Sequence, residues 1–131
     1  MKKIALAAVV LVAGTAASAA PAAGPGLSPH IYVAKIAGAK PTLLNGTWRL
    51  AINSPGFSVN KDGRAAVIGR VRITGNRVTF QDGTGPLACE GAQKSGTYTW
   101  RVAGKRLSFT RVKDSCVGRR TVFAHAFTVV V

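Results

Sequence analysis

The stretch GTYTWRVAGKRLSF, residues 96–109, decides the fold class of this chain. Apolar and polar residues alternate on both sides of Gly104, which is the pattern of strands with one buried face. A glycine followed by one residue at the centre is typical of a two-residue type II′ hairpin turn. Pairing across that turn places Val102 opposite Leu107 and Trp100 opposite Phe109.

A second stretch, RITGNRVTF, residues 72–80, repeats the same pattern upstream. Its turn at Gly75 places Ile73 opposite Val78 and Val71 opposite Phe80. Two copies are too few for a solenoid, so we interpret them as repeated hairpins of one sheet. In both hairpins the apolar side chains would point inward, and the outward positions would hold Arg72, Arg77, Arg101 and Arg106.

Further upstream, residues 47–52 alternate in the same way, with Trp48, Leu50 and Ile52 on one face. Residues 57–60 and 64–74 flank a third turn. A three-residue loop, Lys61-Asp62-Gly63 with Gly63 in the left-handed conformation, keeps the apolar residues of both strands on one face. This loop predicts the pairs Val59–Ala65 and Phe57–Val67.

The remaining segments complete an all-β prediction. Residues 30–36 are expected to form a short strand, residues 37–45 a loop or a single helical turn, and residues 121–131 a last strand, with no convincing helix. Turns recur every eight to twelve residues and consecutive strands are joined as hairpins. We therefore predict an antiparallel up-and-down β-barrel of about seven to eight strands, an arrangement that leaves no exposed sheet edge.

The N-terminal end has the features of a secretory signal peptide. Lys2 and Lys3 precede an apolar run that is too short to span a bilayer, and Ala17-Ser18-Ala19 supplies the small residues of a cleavage site. We predict a signal peptide over residues 1–19, a disordered Pro/Gly/Ala linker over residues 20–29 and a single domain over residues 30–131. The protein is expected to be secreted, into the periplasm or the medium, without a membrane span.

The chain has two cysteines, Cys89 and Cys116. In an exported protein this number favours one disulfide, with two free thiols as the alternative. Closing a loop of this length would stabilise the fold by about 3–4 kcal/mol.

The charge of the chain is strongly positive. It has 18 basic and four acidic residues, a formal net charge of +14, and loss of Lys2 and Lys3 with the signal peptide leaves about +12. Such a charge attracts polyanions, including acidic cell-surface polymers, nucleic acid and anionic lipid. The basic residues are spread along the chain, so a specific nucleic-acid site is not predicted, and an ordinary arginine-rich surface is the favoured alternative.

Four segments resemble a group of small exported bacterial domains of the lipocalin (calycin) superfamily. The Gly46-Thr47-Trp48 triplet is similar to the Gly-x-Trp signature of that superfamily, and the later segments are residues 82–89, 96–100 and 114–119. The resemblance implies a barrel whose first tryptophan packs at the closed end beneath a late arginine. Carried over to this chain, it pairs Trp48 with Arg119 in a cation–π contact, with Arg120 as the alternative.

Little in the sequence suggests catalysis or metal binding. Asp62 and Asp82 each precede a glycine and are interpreted as turn formers. Glu90 is expected to be solvated, and Asp114 is expected to pair with a nearby arginine. His125, expected on the last strand, is a candidate haem ligand by analogy with related barrels, although an ordinary surface or core histidine is favoured. We predict no enzyme activity, no cofactor and no metal site.

The leading functional hypothesis is a binding protein for a small apolar or amphipathic ligand held inside the barrel. A filled interior is an equally weighted alternative, because small eight-stranded barrels are often packed with side chains. The other hypotheses are a basic surface protein that adheres to anionic polymers or membranes, and an inhibitor that acts through its loops. The residues expected to line the interior site are Phe57, Val71, Phe80, Trp100, Val102 and Phe109.

Overall fold

A computed structural model describes residues 26–131 and shows eight strands that close into one antiparallel barrel in chain order. This arrangement confirms the predicted up-and-down barrel. The helical segments are two single 3₁₀ turns, Thr42–Leu44 and Gly91–Gln93, and one short α-helix that precedes the last strand. The elements are β1 (His30–Ile36), β2 (Gly46–Asn53), β3 (Gly56–Lys61), β4 (Arg64–Thr74), β5 (Arg77–Thr84), β6 (Ser95–Ala103), β7 (Arg106–Lys113), α1 (Val117–Phe123) and β8 (Phe127–Val129).

Both repeated hairpins have the predicted register. Val71 lies opposite Phe80 in the β4–β5 hairpin, and Trp100 lies opposite Phe109 in the β6–β7 hairpin. The four arginines predicted to point outward are all exposed. The alternation of apolar and polar residues was therefore sufficient to assign the two faces of these strands.

The turn between β3 and β4 differs from the prediction of a three-residue loop, which is wrong. Lys61 pairs with Arg64, so the turn contains only Asp62 and Gly63. Both turn residues have positive φ angles, 51° and 80°, as a type I′ hairpin turn requires. This turn matches the right-handed twist of the flanking strands, which explains why the chain uses it.

A bulge in β4 restores the inward direction of the apolar residues after this tighter turn. The extra residue is Ala66, which has no partner in β3, and the bulge allows Ala66 and Val67 to be buried in succession. The prediction assumed strict alternation and therefore missed it. The predicted pairs Val59–Ala65 and Phe57–Val67 are replaced by Val59–Val67, Phe57–Gly69 and Asn60–Ala65.

The predicted last strand over residues 121–131 is also wrong in part. Helix α1 occupies Val117–Phe123, and strand β8 is only three residues long. Arg119, Val122 and Phe123 are the buried residues of the helix, which is the spacing of one helical face. The β-branched residues Thr121 and Val122 favour a strand by local propensity, but burial of this face on the barrel overrides that preference.

The ordered part of the barrel begins earlier than predicted. Leu27 is buried, and its carbonyl oxygen accepts a 2.6 Å hydrogen bond from the hydroxyl of Tyr32. The Ser28 hydroxyl also accepts a hydrogen bond from the backbone N–H of Ser54. Leu27 and Ser28, which lie in the predicted linker, therefore pack against the barrel. The predicted signal peptide and residues 20–25 lie outside the described residues.

Candidate functional site

The interior of the barrel is filled by aromatic side chains. Phe80 contacts Phe57, Tyr98, Phe109 and Phe123, with ring centroids 4.8–6.3 Å apart. These distances are those of packed aromatic pairs, which stabilise a core beyond their buried area. The centre of the barrel is therefore a hydrophobic core.

The six residues predicted to line a ligand site belong to this core or to its edge. Phe57, Val71 and Phe80 are buried, whereas the other three are partly buried and pack against the core. Trp100 lies near the surface, where its indole N–H donates to the carbonyl oxygen of Gly75 at 3.2 Å. The structure does not gather the six residues around a shared cavity. The three partly buried residues are Trp100, Val102 and Phe109.

A small cavity lies at the end of the barrel that carries helix α1. Its volume is about 50 Å³, and of the six predicted residues only Phe57 lines it. Sites for drug-sized ligands occupy about 300–1,000 Å³. The cavity is therefore smaller than such sites. Its lining includes Leu44, Trp48, Val59, Val67, Asp82, Arg119, Val122 and Phe123.

Trp48 and Arg119, the pair that the resemblance implied, are both buried and both line this cavity. The Trp48 indole N–H donates a 2.8 Å hydrogen bond to the carbonyl oxygen of Leu44 in the first 3₁₀ turn. The guanidinium of Arg119 donates to oxygen atoms. Arg120, the alternative partner, is exposed.

Arg119 is the centre of a buried ionic network. Its Nε and Nη2 donate to the two carboxylate oxygens of Asp114 at 2.7 and 2.8 Å, and Nη1 donates to Asp82 at 2.8 Å. The remaining donors reach the carbonyl oxygens of Gln93 and Lys94. A guanidinium has five N–H groups, so every donor of Arg119 is used. The network ties α1 to β5, to the end of β7 and to the loop before β6.

The environment of the network alters the pKa of two of its groups. Burial alone would lower the pKa of Arg119, but the hydrogen bonds that it donates to Asp114 and the charges of both aspartates raise this pKa above its ordinary value. Burial raises the pKa of Tyr98 strongly, and its hydrogen bond to Asp114 adds to this shift. Arg119 therefore stays charged and Tyr98 stays neutral throughout the physiological range of pH.

One of these aspartates has the role predicted from the sequence, and the other does not. Asp114 pairs with an arginine, as predicted. Asp82, predicted to be a turn former, lies in strand β5, is buried, and also accepts a 2.8 Å hydrogen bond from the backbone N–H of Cys89. Strict alternation from the inward-facing Phe80 would have placed Asp82 inward, but the following glycine suggested a turn.

The predicted disulfide between Cys89 and Cys116 is present. It joins the loop after β5 to the residue that precedes α1, and it lies next to the ionic network. The side chain of Asp82 and the two sulfur atoms lie within 4.8 Å of one another. Because both sulfurs are bonded in the disulfide, neither is available as the thiolate that metal binding requires.

The other candidate residues lie apart from this network. Asp62 is exposed at the tip of the β3–β4 hairpin, where the hydrogen bond from Thr47, assisted by Lys61, lowers the pKa of its carboxyl group. Glu90 is exposed, as predicted. His125 does not lie on the last strand. It follows α1, and its Nδ1 lies 2.9 Å from the carbonyl oxygen of Thr121, which fits a helix-end contact.

The outer surface of strands β4–β7 is the most distinctive surface feature. We call it the arginine–threonine face, because most of its outward residues are cations or carry a hydroxyl group. One row crosses four strands as Arg72, Thr79, Thr97 and Lys113. Asp82, the one acidic residue in these strands, points inward. The face comprises the cations Arg70, Arg72, Arg77, Arg101, Arg106 and Lys113 and the hydroxyl residues Thr79, Thr97, Thr99, Ser108 and Thr110.

In the described part of the chain, the cations of this face take part in no ion pair. Within residues 26–131, the carboxylate-bearing pairs are Lys61–Asp62, Arg119–Asp82 and Arg119–Asp114. None of these pairs includes a residue of the face. Sequence reasoning predicted the outward arginines but not that they would gather on adjacent strands.

No protein-family model, curated protein or solved structure matches this chain. The closed barrel of eight antiparallel strands is consistent with a calycin-type fold. The part of the chain that the structure describes includes no helix with the length and apolar character needed to cross a bilayer.

Proposed function

We propose that this protein binds anionic polymers through its arginine–threonine face. The observation that carries the proposal is the distribution of charge. Of the 16 basic residues in the described chain, 14 are exposed, whereas only two acidic residues, Asp62 and Glu90, are exposed. A surface with this imbalance attracts polyanions over a range set by the ionic strength.

The composition of the face suits oxyanion groups. Arginine presents a planar set of donors that can bind phosphate, sulfate or carboxylate with two parallel hydrogen bonds. The hydroxyls of Thr79 and Thr97 already bond each other at 2.9 Å, whereas those of Thr99, Ser108 and Thr110 can donate further hydrogen bonds. Arg72 and Lys113 lie three strand spacings apart, about 14 Å, so the face is wide enough to contact several anionic groups of one polymer.

The packed interior supports this proposal over a ligand inside the barrel. The aromatic core leaves a cavity of about 50 Å³, and its wall contains the fully bonded Arg119. Opening space for an amphipathic ligand there would require breaking the ionic network or displacing core side chains. The outer face needs no such change to bind its partner.

Export and family membership form part of the same proposal. A lipocalin-like domain with a signal peptide would meet acidic cell-surface polymers outside the cytoplasm, in a compartment that also favours its disulfide. The polymer is recognised by its repeated negative charge, so the proposal requires neither a nucleotide sequence nor a membrane span. Catalysis has no part in it.

The proposal is tested by measuring the affinity for fluorescently labelled heparin at several salt concentrations. Counterion release predicts that log affinity falls linearly with log salt. A triple variant, Arg72→Gln, Arg77→Gln and Arg101→Gln, should weaken binding at least about tenfold. It should also make the slope of log affinity against log salt concentration shallower by about three, because each phosphate- or sulfate-type contact contributes about one to that slope.

The matched control removes the same charge elsewhere. The triple variant Lys35→Gln, Arg49→Gln and Arg64→Gln changes exposed residues outside the arginine–threonine face. It should retain nearly all the affinity. Equal losses in both variants would show that only net charge matters and would overturn the assignment to this face, and absence of salt-sensitive binding would overturn the function.

A further inference from the structure

The barrel wall is not fully paired along β7. Strand β8 pairs with β7 only at Arg106 and Leu107, whereas β6 pairs with β7 as far as Lys113. From residue 108 onward, one edge of β7 has no strand neighbour within residues 26–131, and helix α1 lies beside it. Strand residues direct backbone N–H and C=O groups toward both sides, so this edge presents hydrogen-bonding groups to a partner.

A groove of about 600 Å³ separates this edge from the helix. Its apolar part is formed by the edge of the aromatic core, where Phe109 and Phe123 stack with centroids 4.7 Å apart. Arg111 on the strand and Arg120 on the helix lie on opposite sides and are both exposed. The remaining lining residues are Tyr98, Thr110, Val117, Thr121 and Ala124.

The charges around the groove select among strand-like partners. No acidic residue lines it, and Lys113 adds a third cation at the end of the same strand edge. A second copy of this chain would bring the same cations against this edge, and like-charge repulsion would oppose the pairing. An acidic segment would instead neutralise Arg111 and Arg120. Exposed Val112 and Val117 offer apolar contacts nearby.

We infer that this groove binds an extended acidic peptide, which adds as a strand to the free edge of β7. Main-chain hydrogen bonds to β7 would provide affinity, as in other cases of strand addition to a sheet edge. Alternate side chains of a strand point to opposite faces. Phe109 and Arg111 lie two residues apart on the same face of β7. The matching segment therefore carries an apolar and an acidic residue two positions apart on the side that faces the groove, where they meet Phe109 and Arg111, and a second acidic residue on that side meets Arg120. This protein partner is distinct from the polymer proposed for the arginine–threonine face.

The test uses a labelled eight-residue peptide in which threonine alternates with glutamate and valine in turn (Thr-Glu-Thr-Val, twice), so that glutamate and valine share one face. Binding is measured by fluorescence anisotropy in about 0.15 M salt, where long-range attraction is largely screened. The double variant Arg111→Gln/Arg120→Gln should weaken binding about tenfold. The matched control Arg72→Gln/Arg101→Gln removes two charges from the arginine–threonine face and should retain the affinity. The same peptide with alternate amides N-methylated cannot form the main-chain ladder, so it should bind at least about tenfold more weakly.

Hydrogen exchange gives a second readout. Bound peptide should slow exchange of amides in residues 108–113 and leave β4 unchanged. Equal binding of the N-methylated peptide would overturn strand addition, and so would an undetectable affinity for the parent peptide. An equal loss in the two double variants would show that the peptide acts only as a polyanion. None of these results would affect heparin binding by the arginine–threonine face, so the two proposals fail separately.

Discussion

Replacement of Arg119 by methionine is the most direct test of the ionic network beneath helix α1. The side chains of Asp82 and Asp114 are only 3% and 0% exposed, and both depend on this guanidinium. Methionine has a similar length and helix propensity but cannot donate a hydrogen bond. The substitution would leave two buried carboxylates without their cation.

The expected loss follows from the number of groups left without a partner. Removing one member of a buried ion pair costs about 3–5 kcal/mol. Because Arg119 serves two carboxylates and two carbonyl oxygens, we expect a loss near the upper end, about 4–5 kcal/mol. A domain of this size has about 5–15 kcal/mol of stability, so the change would be a large fraction of the total.

Guanidinium denaturation, followed by tryptophan fluorescence and circular dichroism with the disulfide intact, measures this loss. At a typical slope, the midpoint should fall by about 1–2 M. Arg120→Met is the matched control, because Arg120 is the next residue of the same helix and is exposed. It should change the free energy of unfolding by less than about 0.5 kcal/mol.

A rescue variant separates lost charge pairing from lost packing. Adding Asp82→Asn and Asp114→Asn to Arg119→Met removes the uncompensated charges, so it should recover about 2 kcal/mol or more. It also provides a measurable sample if Arg119→Met alone does not fold. If Arg119→Met lost under about 1 kcal/mol, or if Arg120→Met lost as much, the reasoning would be refuted.

Three further predictions concern neighbouring features. Replacing Cys89 and Cys116 together by alanine should lower the free energy of unfolding by about 3–4 kcal/mol, and a thermal melt that is unchanged by this replacement would contradict the loop-entropy estimate. Gly96→Ala would place a Cβ atom 2.5 Å from the Asp114 carboxyl carbon and should lower the free energy of unfolding by about 1–3 kcal/mol. At Gly118 the nearest atom outside the helix backbone is 4.0 Å from such a Cβ, so Gly118→Ala should not destabilise the fold. Equal denaturation midpoints for the two variants would refute this prediction. Burial raises the pKa of Tyr32 to about 12. The neutral Tyr32 side chain therefore contributes to the free energy of unfolding in full below pH 10, and this contribution, about 2–3 kcal/mol, is lost as the pH rises toward 12. Alkaline unfolding should show this loss of stability, and Tyr32→Phe should make the loss smaller.

Local sequence patterns were sufficient to predict most of the barrel. The period-two alternation and the Gly-X turns fixed the inward face and the register of both repeated hairpins, because a one-residue slip would expose the apolar side chains. The bulge in β4 could not be predicted from alternation, since the chain there buries Ala66 and Val67 in succession. Helix α1 was also missed, because its seven residues make only about two helical turns and include β-branched residues.

The network at the candidate site illustrates why its members were only partly found. Asp114 and Arg119 are five residues apart, and their pairing was within reach of the sequence. Asp82 is 37 residues from Arg119 and joins it only because closure of the barrel brings β5 under helix α1. The same closure decides that the aromatic residues, Phe109 among them, fill the interior and leave no large cavity.

By itself, the sequence determined the barrel class, the disulfide and the excess of positive charge, because each depends on local alternation or composition. The tertiary structure alone decided that the barrel is filled, that one buried arginine holds two aspartates, and that the outward arginines of four strands form one face. It also left the β7 edge free beside α1, because strand β8 ends after three residues. These features depend on which segments, distant in sequence, come into contact when the sheet closes. A local sequence pattern does not determine those contacts.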